Sequence, residues 1–421
     1  MLTSKVKKVH LRKMSKSESG FGPKLWEATK RGQRSALFPS EALFGGRREI
    51  EIAHGGHRYV LRITRQGKLI LNKTGSATMT DAQSHEASAT QPLLQGGIRA
   101  RDLADSMGIR EAELLATHQG PEVVRLGDDM RALITALPDL GEIMSLTRNE
   151  AAVHEKVGRF GNITLGDVHG LVLNGDIDQR LFLSHWRYAF AVELPGEKEP
   201  RRSLQIFDEF GDAVVKIHLR PTSQIAAFEA LRARLGVTAP TPIVALPQQL
   251  ATRTAANTDV EAFRREFDRM QDVHEFFPLL KRHEVTRRSA IDLLEERYVQ
   301  RLPETATRRL LGGAAASALP IMCFVGSRGC IQIHSGPVVT VKTVGPWLNV
   351  LDPGFNLHLR EDLVAEAWAV RKPTRDGPIT SVELYDRGGD LIAQFFGVRE
   401  PGKPENPAWQ ALAASLATEA A

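Results

Sequence analysis

An internal repeat of about 180 residues sets the strongest limit on what this chain can fold into. Residues 145–220 and 323–399 align at a nearly constant offset, which pairs His154 with His334. A unit of this length is far longer than the repeats of solenoid proteins, so each copy is predicted to form a domain-sized lobe. Duplicated lobes bury a shared interface, and such interfaces are a favoured place for a cofactor-sized pocket.

The two copies differ at some positions, and those positions are the first candidates for function. After a slip of two residues, SLQIFDEFGDAVVKI (203–217) aligns with SVELYDRGGDLIAQF (381–395). In the same alignment Arg180 of the first copy corresponds to His358 of the second. A guanidinium that faces a pocket can orient water or donate a hydrogen bond to an oxygen ligand. The alternative is an arginine on a strand that is paired with Asp176 or Asp178.

The chain is too long, at 421 residues, for a single ordinary core. Changes in composition and periodicity predict six segments along it. These are a disordered basic tail (1–38), a small β module (39–74), a linker (75–94), a first lobe (95–239), an inter-lobe linker (240–260) and a second lobe (261–421).

Local patterns predict the elements within these segments. Three short alternating runs at 47–73 predict an antiparallel three-stranded meander, too small for a core of its own and expected to pair with itself or a partner. ARDLADSMGIREAELLATHQ predicts two short helices that meet near Gly108, with a similar unit at 276–298. Strands are predicted in the first lobe at 143–147, 170–174, 180–183, 187–193, 203–208 and 213–219, with counterparts in the second. Residues 261–282 predict one amphipathic helix.

Charge is divided unevenly along the chain. Residues 1–75 hold 17 Lys and Arg against 5 Asp and Glu, whereas the rest of the chain holds 38 against 45. So basic a segment can bind nucleic acid through phosphates, although a solvated tail has the same composition. The two cysteines, Cys323 and Cys330, are predicted to share one strand segment, and their number favours a reducing cytoplasm. No apolar run is long enough to span a membrane.

Several common catalytic motifs are missing from the sequence. It contains no G-x-x-x-x-G-K-[ST], G-x-G-x-x-G, H-E-x-x-H, G-x-S-x-G or C-x-x-C. The His-Glu pairs that begin at His274 and His283 lack the second histidine of a zinc helix. ATP-dependent, zinc-hydrolase and serine-hydrolase chemistry are therefore disfavoured.

His274 lies in a pattern that suits haem. A porphyrin buries a flat apolar face, its iron accepts a neutral imidazole, and its two propionates need cations. The pattern also fits an ordinary packed histidine on an apolar helix face. The apolar neighbours are Phe263, Phe267, Met270, Phe276 and Phe277, and the basic residues that follow are Lys281, Arg282, Arg287 and Arg288.

Residues 95–421 closely resemble the bacterial haemin-degrading or haem-trafficking factors of the HemS/ChuS type. The resemblance rests on LTRNEAAVHEKVG, HGLVLN with DIDQRLFLSHW, SLQIFDEFGDAVVKI, DVHEFFPLLKRH, FVGSRGCIQI, GPWLNVLDPGFNLHL and EAWAVRKPTRDG. It implies an α+β fold of two tandem duplicated lobes with large, mainly antiparallel sheets and helical pairs. It also implies one haem (iron protoporphyrin IX) per chain.

The same resemblance assigns roles to particular residues. It implies that His274 is the axial ligand of the haem iron and that Arg180 lies on the opposite face of the ring. Propionate contacts are implied for three basic residues, which are Arg287, Lys372 and Arg399. Phe396 stands where relatives often have tyrosine, so it would line the pocket without a phenolic hydrogen bond.

SEALFGGRREIEIAHGGHRYVLRITRQGKLILNK (40–73) resembles the small HemP family, which is encoded beside haem-uptake genes. This resemblance implies either a regulatory module or an accessory docking sheet. In both cases the cationic face is predicted to consist of Arg58, Arg62, Arg65, Lys68 and Lys73.

Three functions follow as expectations from these resemblances. The first is a cytoplasmic protein that receives imported haem and promotes its oxidative degradation, with oxygen or peroxide and an electron donor. The second is a haem chaperone that takes haem from an importer and delivers it intact to a separate heme oxygenase. The third is a haem-responsive regulator that contacts DNA or another regulator through residues 1–75.

Overall fold

The computed structural model divides the chain into two units, Met1–Thr78 and Met79–Ala421. The residues that the structure describes are 43–44, 48–54, 57–63, 69–74, 99–239, 242–246, 258–400 and 402–417. The predicted tail, the predicted 75–94 linker and most of the predicted inter-lobe linker lie outside these residues.

The smaller unit contains the predicted three-stranded antiparallel meander. Its strands are β1 (Glu49–His54), β2 (His57–Ile63) and β3 (Leu69–Thr74), in the order β1-β2-β3. Of the predicted cationic face, Arg62 on β2 donates to Glu49 on β1 over 2.7 Å. The side chains of the other four basic residues lie outside the described part of the chain.

The larger unit has two nine-stranded antiparallel sheets, which confirms the predicted α+β class. From the first copy come β4 (Val123–Leu126), β5 (Glu142–Arg148), β6 (Ala152–Arg159), β7 (Ile163–Leu165), β8 (His169–Asn174), β9 (Ile177–Phe182), β10 (Tyr188–Leu194), β11 (Arg201–Phe207) and β12 (Ala213–Leu219). From the second come β13 (Val299–Leu302), β14 (Ile321–Gly326), β15 (Cys330–Gly336), β16 (Val341–Val344), β17 (Trp347–Asp352), β18 (Phe355–Arg360), β19 (Glu366–Lys372), β20 (Ile379–Tyr385) and β21 (Leu391–Gly397). The expected single strand segment for the two cysteines is wrong, because Cys323 lies on β14 and Cys330 on β15.

The two copies exchange strands. The first sheet has the order β16-β17-β18-β6-β5-β12-β11-β10-β4, and the second has the order β13-β19-β20-β21-β14-β15-β9-β8-β7. Each sheet thus takes six strands from one copy and three from the other. The junctions are β18 beside β6 and β15 beside β9, both antiparallel.

Short helices complete the larger unit. They are α1 (Ala100–Met107), α2 (Glu111–Thr117), α3 (Met130–Ala136), α4 (Ile225–Leu235), α5 (Val260–Asp268), α6 (Phe276–Arg282), α7 (Arg287–Leu293), α8 (Ala306–Ala316) and α9 (Pro407–Ser415). The predicted break between α1 and α2 occurs at Gly108, whose φ of 69° is left-handed and suits glycine. No helix in the described residues is long and apolar enough to cross a membrane.

The prediction of one helix over 261–282 is wrong. Helix α5 ends at Asp268, and a 3-10 turn over Val273–Glu275 precedes α6. The helix is interrupted by a local feature of the sequence. Asp272 has extended backbone angles, and its side chain accepts a hydrogen bond from the amide of His274. Aspartate competes for backbone amides in this way and so favours caps over helix interiors.

The two sheets pack face to face. One core cluster joins the second sheet to β17, β18, α8 and α9, with Trp409 of α9 fully buried in it. Another joins the first sheet to α3, α4 and the exchanged strands β8 and β9. Because each exchanged strand group contributes to the core of the other copy, the cores of both copies depend on the exchange.

A layer of buried polar groups lies between the sheets. The repeat partners His154 and His334 both pack against Phe355, with ring centroids 4.9 Å and 3.8 Å from that ring. The ammonium of Lys156 lies 3.3 Å from Nδ1 of His334, and both residues are buried. Burial, and after it the charge of Lys156, lower the pKa of His334 to about 4. Burial also holds the pKa of His154 well below its ordinary value.

We expect acid to destabilise this layer. The unfolded chain protonates its histidines near pH 6.5, whereas the folded His334 stays neutral down to about pH 4. The stabilisation that depends on neutral His334 is therefore fully present above pH 6.5 and is lost as the pH falls towards 4. The contribution of His334 alone is about 3 kcal/mol, measured as the free energy of urea unfolding across this range.

A His334→Gln variant should show a weaker pH dependence than the wild type. His169→Gln, which changes an exposed histidine on β8, should leave the pH dependence as it is. Equal pH dependence in His334→Gln and the wild type would show that the buried imidazole does not titrate on unfolding.

Candidate functional site

The turn before α6 exposes one imidazole to solvent. The side chain of His274 is 86% exposed, although the helices on both sides of it are anchored in a core of phenylalanines. Phe276 and Phe267 belong to that core and are at most 3% exposed. The sequence pattern places His274 on or beside the apolar face of a helix, and this placement is wrong because the turn directs it outward.

Asp272 holds this imidazole in one orientation. Its Oδ1 accepts hydrogen bonds from the His274 amide over 2.8 Å and from the ring Nδ1 over 2.6 Å. Hydrogen bonds from His274 hold the pKa of Asp272 below its ordinary value. The Nε2 atom of the ring has no hydrogen-bond partner among the described residues.

The turn is joined to the far end of the second sheet. The amide of Arg375, in the loop after β19, donates to the carbonyl of Gln271 over 3.1 Å. Arg399, just after β21, acts on the carboxylate of Asp272 electrostatically. On the other side of the turn, Phe277 is 59% exposed, with the Lys281 ammonium 5.3 Å from its ring centre.

Strand register shows which side chains share the outer face of the second sheet, the face that does not pack on the first sheet. Directly opposed residues of an antiparallel pair point to the same face. Arg180 opposes Ile331 across β9 and β15, and Phe396 opposes Met322 across β21 and β14. Followed strand by strand, the register places these residues on the outer face: Leu171, Leu173, Asp178, Arg180, Ile331, Ile333, Met322, Phe324, Gln394, Phe396, Ser381, Glu383 and Lys372.

The middle of the outer face is apolar and only half covered. We call Met322, Phe324, Ile331 and Phe396 the apolar floor, and all four are partly exposed. The rings of Phe324 and Phe396 meet edge to face at 5.1 Å. Three strand spacings separate the strand of Arg180 from that of Phe396, which is about 14 Å. The floor is therefore wide enough for a flat aromatic macrocycle.

Arg180 lies at one side of the apolar floor. It is half-buried and forms an ion pair with Asp178 two residues away on β9. This is one of the pairings that the sequence leaves open for a purely structural arginine. The repeat partner of Arg180, His358 on β18, instead bonds Asn349 through Nδ1 over 2.7 Å.

The other side of the floor carries a buried ion cluster. The Lys372 ammonium, 3% exposed, donates to Glu383 over 2.6 Å and to the Ser381 hydroxyl over 2.9 Å. Arg287 at the start of α7 reaches the same carboxylate oxygen over 3.4 Å. Both cations lie over the ring of Phe276, at 5.2 Å and 5.1 Å from its centre.

Glu383 is the functional candidate that the sequence analysis misses. Burial alone would raise its pKa, but Lys372 and Arg287 outweigh burial and leave the pKa well below its ordinary value. Its repeat partner is Gln205, so the difference between the copies was a usable signal. Two cations share one carboxylate here, which leaves the cluster with a net positive charge beside the floor.

Arg399 is the third predicted cation. It is partly exposed, yet its Nε is buried and has no hydrogen-bond partner among the described residues. Burial raises the pKa of Glu405 above its ordinary value, and the Arg399 charge opposes part of that rise. A guanidinium with an unused donor, beside the His274 turn, can donate a hydrogen bond to a carboxylate.

Comparison with known proteins identifies the family. Residues 108–235 and 284–416 match the sequence model described as the haemin-degrading HemS.ChuX domain, and together they cover more than half of the chain. The chain belongs to the haemin-degrading HemS/ChuX family. Residues 37–73 match the hemin uptake protein hemP. Both resemblances seen in the sequence are thus confirmed.

Two relatives from Yersinia species are similar to this chain over most of their length. Hemin transport protein HmuS of Yersinia pestis is 39% identical over 321 residues, 76% of this chain and 93% of HmuS. Hemin transport protein HemS of Yersinia enterocolitica is 40% identical over 315 residues, 75% of this chain and 91% of HemS.

Two solved structures share the architecture. Holo-PhuS, a heme-binding protein from Pseudomonas aeruginosa, has a TM-score of 0.75 and 41% identity, covering 81% of this chain and 99% of PhuS. ChuS, described as an E. coli heme oxygenase, has a TM-score of 0.72 and 38% identity, covering 78% of this chain and 99% of ChuS. The duplicated α+β fold expected from the sequence is confirmed.

We expect Glu383→Gln to destabilise the larger unit strongly. The change leaves the buried Lys372 ammonium without its anion, and removing one partner of a buried pair costs about 3 to 5 kcal/mol. Urea denaturation at pH 7 measures this cost as a loss of unfolding free energy.

Glu295→Gln is the matched control for that variant. Glu295 pairs with Arg297 where both side chains are about half exposed, and exposed pairs contribute at most about 1 kcal/mol. Similar small losses in both variants would mean that the Glu383 cluster is hydrated and contributes little.

Proposed function

We propose that this protein binds haem in the cytoplasm after its import and promotes oxidative opening of the porphyrin ring, which releases the iron. The observation that carries the proposal is the exposed His274, whose Nε2 is free while its Nδ1 is held by Asp272. A single oriented imidazole beside a half-covered apolar face suits a planar substrate that brings its own metal.

The residues around the floor fit haem as the substrate. The apolar floor would cover one flat face of the macrocycle, and Nε2 of His274 would bind the iron. The two propionates need cations at one edge, where Arg399 has an unused buried donor and Arg287 is only weakly engaged at 3.4 Å. The Lys372 ammonium already donates to Glu383 and Ser381. Its proposed contact with a propionate would therefore require it to share one of these hydrogen bonds.

Arg180 is proposed to act on the side of the ring away from His274. Its guanidinium would hold a water molecule or the oxidant by hydrogen bonds, after giving up part of its pairing with Asp178. Opening the ring needs dioxygen or peroxide as oxidant and an electron donor, neither of which the chain supplies. The protein contributes position and a fixed positive charge.

Haem delivery is the second candidate function, and the relatives favour it. HmuS and HemS are described as hemin transport proteins, and PhuS as a heme-binding protein, whereas ChuS is described as a heme oxygenase. An axial histidine on an exposed turn is accessible to a partner that would take the haem. The same residues therefore support binding in either function, and only turnover separates the two.

Replacing His274 with alanine should lower the affinity for haem by more than about 10-fold, because the axial ligand is lost. The Soret spectrum of the complex should shift at the same time. Titration with hemin, followed by visible absorption, measures both.

His283→Gln is the control for the histidine variant. His283 is close in sequence, but its Nε2 bonds Glu266 over 3.1 Å and it is largely buried. This variant should bind haem like the wild type. An unchanged spectrum and affinity in His274→Ala would rule out the ligand assignment.

Replacing Arg180 with alanine should leave haem affinity within a few-fold of the wild type but slow ring opening by about 100-fold, the typical cost of one transition-state donor. The reaction is followed by loss of the Soret band with ascorbate under oxygen, with catalase present to remove free peroxide. Asp178→Asn, which breaks the ion pair but keeps the guanidinium, should remain active.

Two results of this assay would contradict the proposal, the first for Arg180 alone and the second for the enzymatic function. Equal rates in Arg180→Ala and the wild type would show that Arg180 is only structural. A stable wild-type spectrum, together with transfer of intact haem to a heme oxygenase, would assign the protein to delivery.

A further inference from the structure

The contact between Asp272 and His274 has two separate parts. One carboxylate oxygen, Oδ1, accepts from the backbone amide of His274 and caps the turn. The same oxygen accepts from the ring Nδ1 at 2.6 Å, and hydrogen bonds to a charged carboxylate are shorter than neutral ones. Capping of the turn needs only the hydrogen bond from the backbone amide. The hydrogen bond from the ring Nδ1 therefore needs a separate explanation.

The ring contact does little for the stability of the fold. His274 is 86% exposed and Asp272 is 46% exposed, and exposed pairs contribute at most about 1 kcal/mol. The contact instead determines which nitrogen of the imidazole carries the proton. A hydrogen on Nδ1 that points at Asp272 leaves the Nε2 lone pair facing outward, away from the turn.

We infer that Asp272 is a positioning residue for His274, which holds the imidazole with its proton on Nδ1 and strengthens Nε2 as a donor to ferric haem iron. The inference rests on the proposed function, since it needs His274 to bind iron. Carboxylates that accept from the second nitrogen of a metal-bound histidine fix the ring and raise its basicity, and losing one typically costs 10- to 100-fold in metal affinity.

The orientation of the carboxylate is itself supported from outside the turn. Asp272 has extended backbone angles, with φ at −145°, that set it apart from the helices on both sides. The neighbouring Arg375 amide fixes Gln271, and the Arg399 charge acts on the Asp272 carboxylate. The turn is therefore built to present Asp272 and His274 together.

The decisive variant is Asp272→Asn, because asparagine caps as well as aspartate but carries no charge. We expect its affinity for ferric haem to fall about 10-fold or more, with a smaller loss for ferrous haem. A tenfold change in the ratio of the two affinities raises the midpoint potential of the bound iron by 59 mV for one electron. Resonance Raman of the ferrous complex should show a weaker iron–histidine stretch.

Asp259→Asn is a matched control. Asp259 caps α5 by accepting from the Ala262 amide over 3.0 Å, and no hydrogen bond joins its side chain to a histidine in the described structure. The same change of charge at this second cap should leave affinity, potential and the Raman band unaltered.

Three outcomes would overturn the inference. The first is wild-type affinity, potential and Raman band in Asp272→Asn. The second is a loss in Asp272→Ala that asparagine restores completely, which would make Asp272 a cap only. The third is an equal loss on adding Asp272→Asn to His274→Ala, because Asp272 would then act without the imidazole.

The His274→Ala variant also separates this inference from the proposed function. If that variant keeps its spectrum and affinity, the ligand assignment fails and the positioning role falls with it. If His274→Ala loses the haem but Asp272→Asn behaves like the wild type, the proposed function stands and only the role of Asp272 is lost.

Discussion

The candidate site depends on one antiparallel pairing, in which Ile331 of the second copy opposes Arg180 of the first. The next residues along these strands, Gln332 and Gln179, point to the inner face and hydrogen-bond each other over 2.6 Å. Gln332 also bonds the carbonyl of Ser145 in the first sheet over 2.9 Å. A slip of one residue would bury Arg180 and expose these amides, so the polar layer fixes the register that turns Arg180 outward.

The first residue of the corresponding helix has opposite charge in the two copies, and its partner lies on a different strand. In the first copy the helix α2 begins with Glu111, which pairs with Lys216 on β12. In the second copy α7 begins with Arg287, which pairs with Glu383 on β20. The first copy therefore balances its charges internally, whereas the second adds Lys372 and keeps a net positive charge beside the floor. This difference makes the charge of the duplicated fold asymmetric, with the excess of positive charge on the second copy.

Local patterns in the sequence predict most individual elements but not how they associate. Alternation marks β8 and β9 as strands, yet nothing in their own residues specifies that they join the sheet of the other copy, because long-range pairing is not a local property. The pattern of apolar residues also fails to predict the turn at His274, for a different reason. Apolar spacing continues from Phe263 to Phe277 as in a helix, and it outweighed the single capping signal of Asp272. The sequence does not single out Glu383, because a lone acidic residue in a strand gives no sign of burial.

The candidate site consists of a rigid sheet surface and an exposed turn that carries His274. This difference in exposure matters for both proposed functions. The cations and floor belong to a nine-stranded sheet, where Lys372 is 3% exposed and cannot move without breaking a buried cluster. His274 lies on a turn of three residues and is 86% exposed. An incoming planar ligand would meet the imidazole first and then settle against a surface that is already formed. Under the proposed function, capture and release of haem would depend on the turn, and the position of the ring relative to Arg180 would depend on the sheet. Delivery and ring opening could then use the same framework and differ in how firmly the turn holds the ligand.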